Sequence, residues 1–211
     1  LAYPVFKQLQ LAKNENTNYP DLLEAETEFY YISCLLKLND SNAITLAKNF
    51  VEKDTHIALV QRMNYYLGEY YFLQQAFNKA LSAYQATNIA NLSNSEIAIL
   101  KFHEGYAYFI LKDFNRAKSL FNVVRQLTTD PNYIDANYYY GFICFYEKNY
   151  KEALAGFTIA QKDPNYQSVV PFYMAEIYYF SGKSSLSLET GLKALEIGAQ
   201  FYDLQLKQLV G

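Results

Sequence analysis

Few side chains in the sequence have the types and spacing that catalysis or metal binding requires. Gly182-Lys183-Ser184 shares its residue types with the end of a phosphate-binding loop, in which backbone N–H groups and a lysine hold phosphate oxygens. Such a loop needs another glycine five residues before the Gly-Lys pair, where this chain has Ile177. We therefore interpret residues 182–184 as a turn between two helices and expect no nucleotide-binding site.

The histidines and cysteines also lack a catalytic or metal-binding arrangement. His56 and His103 are the only histidines, and neither is spaced with Cys, Asp or Glu as in a ligand motif. We interpret both as hydrogen-bonded surface or packing residues. Cys34 and Cys144 form no Cys-x-x-Cys pair and lie among apolar residues, where a free cysteine behaves as a small hydrophobic residue.

Acidic residues give no catalytic pair either. Glu24, Glu26 and Glu28 alternate instead of sharing one helix face, and acidic residues near a helix start interact favourably with the helix dipole. No Ser–His–Asp or Cys–His arrangement can be assembled from the sequence. We therefore expect no catalytic residue, no metal ligand and no cofactor, and we do not expect this segment to be an enzyme.

The composition narrows the classes of partner. The chain has 211 residues, 51% of them hydrophobic, which is enough for a sizeable core. Its net charge is −3 and it has no cluster of Lys and Arg interleaved with aromatic residues, so nucleic acid is not expected as a partner. No apolar run reaches the roughly 18 residues that span a bilayer. Because the chain opens at Leu1 and shows no signal peptide, we expect it to be a piece of a longer protein.

A spacing of small residues repeats along the chain. In each of five copies a first marker residue is followed twelve positions later by a second marker residue. The marker pairs are Tyr31 and Ala43, Gly68 and Ala80, Gly105 and Ala117, Gly141 and Ala153, and Ala175 and Ser187. The first markers are 37, 37, 36 and 34 residues apart, a period typical of repeat proteins built from helix pairs.

Each copy is predicted to fold as two helices. A polar turn such as Lys148-Asn149 separates an apolar first helix from an amphipathic second helix, and Asp130-Pro131 favours a break between copies. Two helices approach closely only where side chains are small, so we expect Gly141 to face Ala153 while Tyr150 and Phe157 fill the adjacent space. A glycine inside a helix costs about 1 kcal/mol relative to alanine, which the close contact must offset.

This pattern resembles the tetratricopeptide repeat (TPR), which has a small residue at position 8, an aromatic at 11, alanine at 20 and an aromatic at 24. Gly68, Tyr71, Ala80 and Tyr84 match all four positions. Gly105, Tyr108, Ala117 and Phe121 also match, while Cys144 replaces the first aromatic in the next copy. The resemblance covers about residues 31–198. It implies an all-α fold, a right-handed superhelix of stacked antiparallel helix pairs (an α-solenoid).

The copies divide the chain into one array of about five units. The predicted borders are a partial repeat at 1–20, repeats at 21–54, 55–92, 93–130 and 131–166, a degenerate repeat at 167–198, and the start of another at 199–211. Steps of 36–37 exceed the usual 34, and tryptophan is absent from the chain. Ser187 and Gly191 match the pattern poorly, so looser packing is expected there. The spacing and the aromatic helices are most similar to repeat proteins of Bacteroidetes cell envelopes, which implies a bacterial envelope (periplasmic) location.

The resemblance to the TPR family implies that the first helix of each pair lines a concave groove, built from repeat positions 2, 5, 9, 12 and 13. Transferred residue by residue, these positions predict a strongly aromatic groove. Its residues are Tyr65, Glu69, Phe72 and Leu73; Phe102, Tyr106, Phe109 and Ile110; Tyr138, Phe142, Phe145 and Tyr146; and Phe172, Glu176, Tyr179 and Phe180.

The groove predicts a non-catalytic scaffold that binds another protein or a peptide. Family members that hold a terminal carboxylate use Lys, Arg and Asn, and the groove residues named above include no such set. The rings could instead pack against one another or lie under flanking repeats. Two other functions stay open: a docking or regulatory segment of a larger enzyme or regulator, and self-association through exposed end repeats.

Overall fold

The computed structural model describes residues 2–13, 21–196 and 202–210, and every regular element in these ranges is a helix. The predicted all-α class is confirmed. The chain divides into two compact units, residues 1–112 and residues 113–211. The helices of unit 1 are α1 (Ala2–Lys13), α2 (Asp21–Lys37), α3 (Ala43–Lys53), α4 (Ile57–Leu73), α5 (Phe77–Gln85), a short 3₁₀ helix (Ile89–Asn91) and α6 (Asn94–Ile110).

Unit 2 begins in the middle of the predicted repeat 93–130, at the turn after α6. Its helices are α7 (Phe114–Val124), α8 (Tyr133–Tyr146), α9 (Tyr150–Ala160), α10 (Val170–Phe180), α11 (Ser184–Glu196) and α12 (Asp203–Val210). The repeat borders themselves stay a prediction. Parts of the first and last predicted repeats, at residues 1, 14–20, 197–201 and 211, lie outside the described residues.

The turns inside the helix pairs share one backbone conformation. The central turn residue is left-handed in α4–α5, α8–α9 and α10–α11, at Gln75, Lys148 and Gly182, with φ of 57°, 61° and 71°. The next N–H bonds back to a carbonyl of the first helix in each case: Ala76 to Tyr71, Asn149 to Cys144 and Lys183 to Tyr178, at 2.8–2.9 Å. This C-terminal cap reverses the chain within three residues, which brings the two helices of a pair together.

The contact between α8 and α9 has the predicted geometry. A Cβ added to Gly141 would lie 3.2 Å from the carbonyl oxygen of Ala153 and 3.2 Å from ring atoms of Phe157. Phe157 and Ala153 are fully buried. The close approach predicted at Gly141 and Ala153 is therefore confirmed, and the buried ring offsets the cost of a mid-helix glycine.

A second glycine makes this contact closer than the sequence pattern predicted. A Cβ on Gly156 would lie 2.5 Å from the carbonyl oxygen of Asn137 and 3.2 Å from the Cα of Gly141. The two backbones therefore touch directly, glycine against glycine. Elsewhere, in α4–α5 of unit 1, a Cβ on Gly68 would lie 2.4 Å from the Tyr84 ring, so the aromatic side chain occupies the space that the glycine leaves.

The degenerate repeat is held by a polar contact where the other copies have an apolar one. Ser187, at the second marker position, is buried and its hydroxyl donates a hydrogen bond of 2.9 Å to the carbonyl oxygen of Ala175, at the first marker position. Gly191 and Ala194 are also buried on the same helix. The serine hydroxyl is thus satisfied by the facing backbone, and the looser packing expected from these substitutions stays a prediction.

Candidate functional site

In unit 1 the predicted groove residues lie on α4 and α6, and they are buried to different extents. Tyr65 and Phe102, at the fifth repeat position, are buried. Phe72, Tyr106 and Phe109 are half-buried. Leu73 and Ile110, at the C-terminal ends of these helices, are exposed, Leu73 to 74%. The face is therefore anchored in the core on one side and open at the helix ends.

Glu69 is the centre of a hydrogen-bond network on this face. Its Oε1 accepts a bond of 2.6 Å from the Tyr84 hydroxyl and lies 2.8 Å from Nδ1 of His103. Burial raises the pKa of Tyr84, and the adjacent Glu69 carboxylate raises it further, so the phenol remains protonated and acts as the donor. His103 also stacks on Phe72, with ring centroids 3.9 Å apart. The network holds α4, α5 and α6 in one arrangement.

A hollow of about 330 Å³ opens on the same face, between α2, α4 and α6. Three tyrosines of α4, two glutamates and one lysine contribute to its walls. Its lining residues are Leu36, Lys37, Tyr65, Tyr66, Glu69, Tyr70, Leu73, Glu96 and Ile99. Lys37 Nζ lies 5.3 Å from the centroid of the Tyr66 ring, so one wall already accommodates a cation over an aromatic face.

Arg62 is a residue of this region that the sequence analysis did not include. Its Nη2 donates to Glu96 Oε1 at 3.3 Å, and its guanidinium lies 6.0 Å from the centroid of the Phe29 ring. Its Nε is buried without a hydrogen-bond partner among the described atoms. The signal was present, because residue 62 occupies repeat position 2, which also belongs to the TPR groove set.

In unit 2 the rings of α8 are supported by neighbouring aromatic residues. Tyr138 stacks on Tyr166 with centroids 4.2 Å apart, and the Tyr166 hydroxyl donates to Asp135. Burial raises the pKa of Tyr138 to about 12, so its hydroxyl remains protonated at neutral pH and can donate a hydrogen bond. Phe142 and Phe145 meet Tyr173 edge to face, at 5.5 and 5.2 Å.

The groove residues of α10 include both buried and exposed rings. Phe172 is buried and stacks on Tyr202, with centroids 4.1 Å apart and planes nearly parallel. Glu176 is half-buried. Tyr179 and Phe180 are each 57% exposed, and Tyr146 on α8 is 66% exposed. As in unit 1, the exposed members lie at the C-terminal ends of the first helices, beside the turns that lead into the second helices.

The residues considered for catalysis lie in separate surroundings. Nδ1 of His56 lies 2.9 Å from Oδ1 of Asp54, next to the start of α4, whereas His103 pairs with Glu69. Gly182 is in the left-handed turn before α11, with no atom within 4 Å of a Cβ added there. Burial raises the pKa of the Cys144 thiol, which disfavours a reactive thiolate.

No group of three or more His, Cys, Asp or Glu residues in the described ranges is arranged to hold a metal ion. None of the helices that the structure describes is both long and apolar enough to pass through a lipid bilayer.

Comparison with solved structures identifies the fold. The crystal structure of YrrB, described as a TPR protein with an unusual peptide-binding site, superposes with a TM-score of 0.73 at 18% identity, covering 96% of this chain and 97% of YrrB. The fold of the chain is the TPR solenoid. Two structures of MamA, one of them a point mutant, have TM-scores of 0.65 and 0.63 at 19% identity. They cover 85% and 84% of this chain, and 94% and 99% of the MamA chains. No protein-family model matches the sequence, and no curated protein matches it.

Proposed function

We propose that this chain is a non-catalytic scaffold that binds a polypeptide of another protein on the aromatic faces of its first helices. The observation that carries the proposal is the exposure of large apolar side chains at the same repeat positions in both units. Leu73 and Ile110 are exposed in unit 1, and Tyr146, Tyr179 and Phe180 are exposed in unit 2. Large apolar side chains that cluster on one face, with polar groups around them, are typical of protein-interaction surfaces.

The chemistry of the face suits an extended polypeptide. The hollow of about 330 Å³ beside Tyr65 and Leu73 is at the small end of ligand pockets, a size that suits one or two amino-acid side chains. The tyrosine rings offer apolar contact area together with hydroxyl groups that hydrogen-bond to peptide backbone. Because many rings already stack on one another, little side-chain freedom is lost on binding. The description of YrrB as having a peptide-binding site supports the proposal by analogy of fold.

The sequence left open whether the aromatic residues bind a partner or cover one another. Their burial differs between repeat positions, so the two roles fall to different residues. The buried rings Tyr65, Phe102 and Phe172 pack within their own unit and support the surface from below. The exposed side chains at positions 12 and 13 are the groups that would contact the partner. The half-buried Phe142 and Tyr106 lie between these two layers and are expected to contribute both to stability and to binding.

The test compares two pairs of exposed apolar residues in unit 2. Peptides selected by the chain from an array of random sequences are measured by fluorescence anisotropy against a Tyr146→Ala/Tyr179→Ala variant. The matched control is Val123→Ala/Leu188→Ala, which truncates residues exposed to 52% and 45% on the second helices α7 and α11. We expect the first variant to lose at least about 30-fold in affinity, as for hot-spot residues, and the control to lose little.

Three results would overturn the proposal. One is that no peptide on the array binds. The second is equal loss of affinity in both variants, and the third is unchanged affinity in the Tyr146→Ala/Tyr179→Ala variant. Circular dichroism melts of both variants accompany the measurement, since a lower melting temperature would otherwise account for lost binding.

The resemblance to cell-envelope repeat proteins adds the prediction of a periplasmic location, which cell fractionation tests.

A further inference from the structure

The first helices α8 and α10 of unit 2 carry charge of one sign only. Asp135 is the single charged residue of α8, and Glu176 is the single charged residue of α10. Seven of the 14 residues of α8 and five of the 11 residues of α10 are aromatic, and neither helix contains Lys, Arg or His. Aromatic ring faces attract cations, as carboxylates do. The carboxylates and the aromatic rings of these helices therefore both favour a positively charged ligand.

The two carboxylates differ in how they are satisfied. Asp135 accepts a hydrogen bond from the Tyr166 hydroxyl. Glu176 is half-buried and receives neither a hydrogen bond nor an ion pair from the described residues. Burial raises the pKa of Glu176, because partial desolvation disfavours the ionised form and no positive charge offsets this effect. An isolated carboxylate on this face costs stability, and a cation supplied from outside the described residues would remove that cost.

Several of the cations on the second helices of unit 2, or directly after them, are paired with other acids, although no ion pair is found for Lys151 or Lys162 in the described part of the chain. These pairs are Lys118 with Glu147, Arg125 with Glu152, and Lys193 with Glu189. Lys118 and Arg125 also lie over the ring of Tyr140, at 5.7 and 4.1 Å from its centroid. Tyr140 thus interacts with cations from this chain, whereas no such contact is found for the exposed rings of Tyr146, Tyr179 and Phe180 in the part of the chain that is described.

We propose that Glu176 receives a Lys or Arg side chain of the bound polypeptide. Phe172, Tyr179 and Phe180 are helical neighbours of Glu176 at spacings of three and four residues, so the aliphatic part of the incoming side chain lies against rings while its charge reaches the carboxylate. This inference rests on the proposed function and adds the chemistry of the partner. An acidic polypeptide is disfavoured, and so is a second copy of this chain, whose net charge is −3.

The test uses three synthetic peptides of the same length and the same Leu and Tyr content. Two further positions of each peptide are both Lys, both norleucine or both Glu. We expect the Lys peptide to bind about tenfold more tightly than the norleucine peptide at low ionic strength, and the Glu peptide to bind most weakly. Added salt should reduce the preference for Lys. The variant Glu176→Gln should lose that preference and keep its affinity for the norleucine peptide.

The matched control is Glu196→Gln, which removes the same charge from an exposed position on α11, a second helix. It should retain the preference for Lys. Equal binding of the Lys and norleucine peptides, or a preference for Lys that survives in Glu176→Gln, would overturn the inference and leave the proposed function standing. Preference for the Glu peptide, or self-association that competes with the peptides in light scattering, would also overturn it. Failure of all three peptides to bind would count against the proposed function as well.

Discussion

Glu96 and Glu104 lie eight residues apart on α6 and have opposite pKa shifts. Burial raises the pKa of Glu104, and the weak pairing with Lys101 at 3.4 Å does not offset this. Burial also acts to raise the pKa of Glu96, but hydrogen bonds from Ser93 and the charge of Arg62 lower it by more. One helix therefore contains a carboxylate that is destabilising when ionised and another that is stabilising.

These shifts predict opposite effects of neutralising the two residues. When folding raises the pKa of a carboxyl group, the group stabilises the fold below its unfolded-state pKa, and this contribution is lost as the pH rises through its folded-state pKa. Glu104→Gln keeps the side chain neutral, so it should raise the free energy of unfolding at pH 7. When folding lowers the pKa of a carboxyl group, the group stabilises the fold above its unfolded-state pKa, and this contribution is lost on acidification. Glu96→Gln should therefore lower the free energy of unfolding at pH 7. Denaturant unfolding at pH 7 and at about pH 3.5 measures both, and the Glu104→Gln difference should shrink at the lower pH. The same sign for both variants at pH 7 would contradict this account.

Gly156 is the residue whose substitution best separates packing from helix propensity. Alanine is favoured over glycine inside a helix by about 1 kcal/mol, so propensity alone predicts that Gly156→Ala stabilises. The added Cβ would lie 2.5 Å from the carbonyl oxygen of Asn137, a backbone atom that cannot move away without displacing α8. We expect net destabilisation of about 1–3 kcal/mol, the usual cost of overpacking. Thermal and denaturant unfolding measure this cost.

The control for this prediction is Ala155→Leu, which enlarges an exposed side chain next to the contact and should change stability little. Gly141→Leu should act like Gly156→Ala, because its added atoms meet Ala153 and Phe157. An increase in the melting temperature of Gly156→Ala would mean that α8 and α9 do not approach as closely as described.

At the scale of elements, the turns between paired helices use the same left-handed residue with different side chains. Gln75 and Lys148 occupy a conformation that costs residues with a Cβ roughly 1–2 kcal/mol, whereas Gly182 occupies it without that cost. The capping hydrogen bonds of each turn compensate, since they satisfy carbonyl groups at the end of the first helix. The turn conformation is therefore a property of the helix pair and does not depend on glycine.

This conformation predicts a reciprocal pair of substitutions. Gly182→Ala should destabilise the chain by about 1 kcal/mol, and backbone strain alone causes the loss because no atom lies within 4 Å of the added Cβ. Lys148→Gly should stabilise by less than about 1 kcal/mol, because relief of strain is partly offset by greater freedom of the unfolded chain. Ser181→Ala, at a residue with φ of −89°, serves as the control and should be nearly neutral. Stabilisation by Gly182→Ala in denaturant unfolding would show that the turn is not left-handed.

At the scale of the whole molecule, each unit contains its own buried core, and repeat proteins are stabilised mainly by contacts between neighbouring repeats. A local defect should therefore have a local effect. In Gly156→Ala we expect faster amide hydrogen exchange in α8, α9 and their neighbours α7 and α10, with little change in α2 and α3. Exchange that accelerates uniformly in both units would mean that the chain unfolds as one cooperative body.

Much of the fold and part of the candidate site could be predicted from the sequence. The twelve-residue spacing of Gly141 and Ala153 predicted the contact that the structure confirms, because a close crossing of two helices excludes any larger residue at both positions. The assignment of aromatic residues of the first helices to a groove came from the resemblance to the TPR family and stays a prediction.

What only the tertiary structure decided is which groups meet across helices. The sequence pattern did not single out Gly156, because its partner is a backbone carbonyl of another helix that leaves no trace in residue type. The pairing of His103 with Glu69 joins side chains that are 34 residues apart in the sequence. Whether Glu176 has a partner also depends on other helices, and it has none among the described residues. Burial likewise divides the aromatic residues into a supporting layer at Phe172 and an exposed layer at Tyr146. Periodicity assigns a residue to a face of its helix, but depth and partners are set by the neighbouring helices that cover that face.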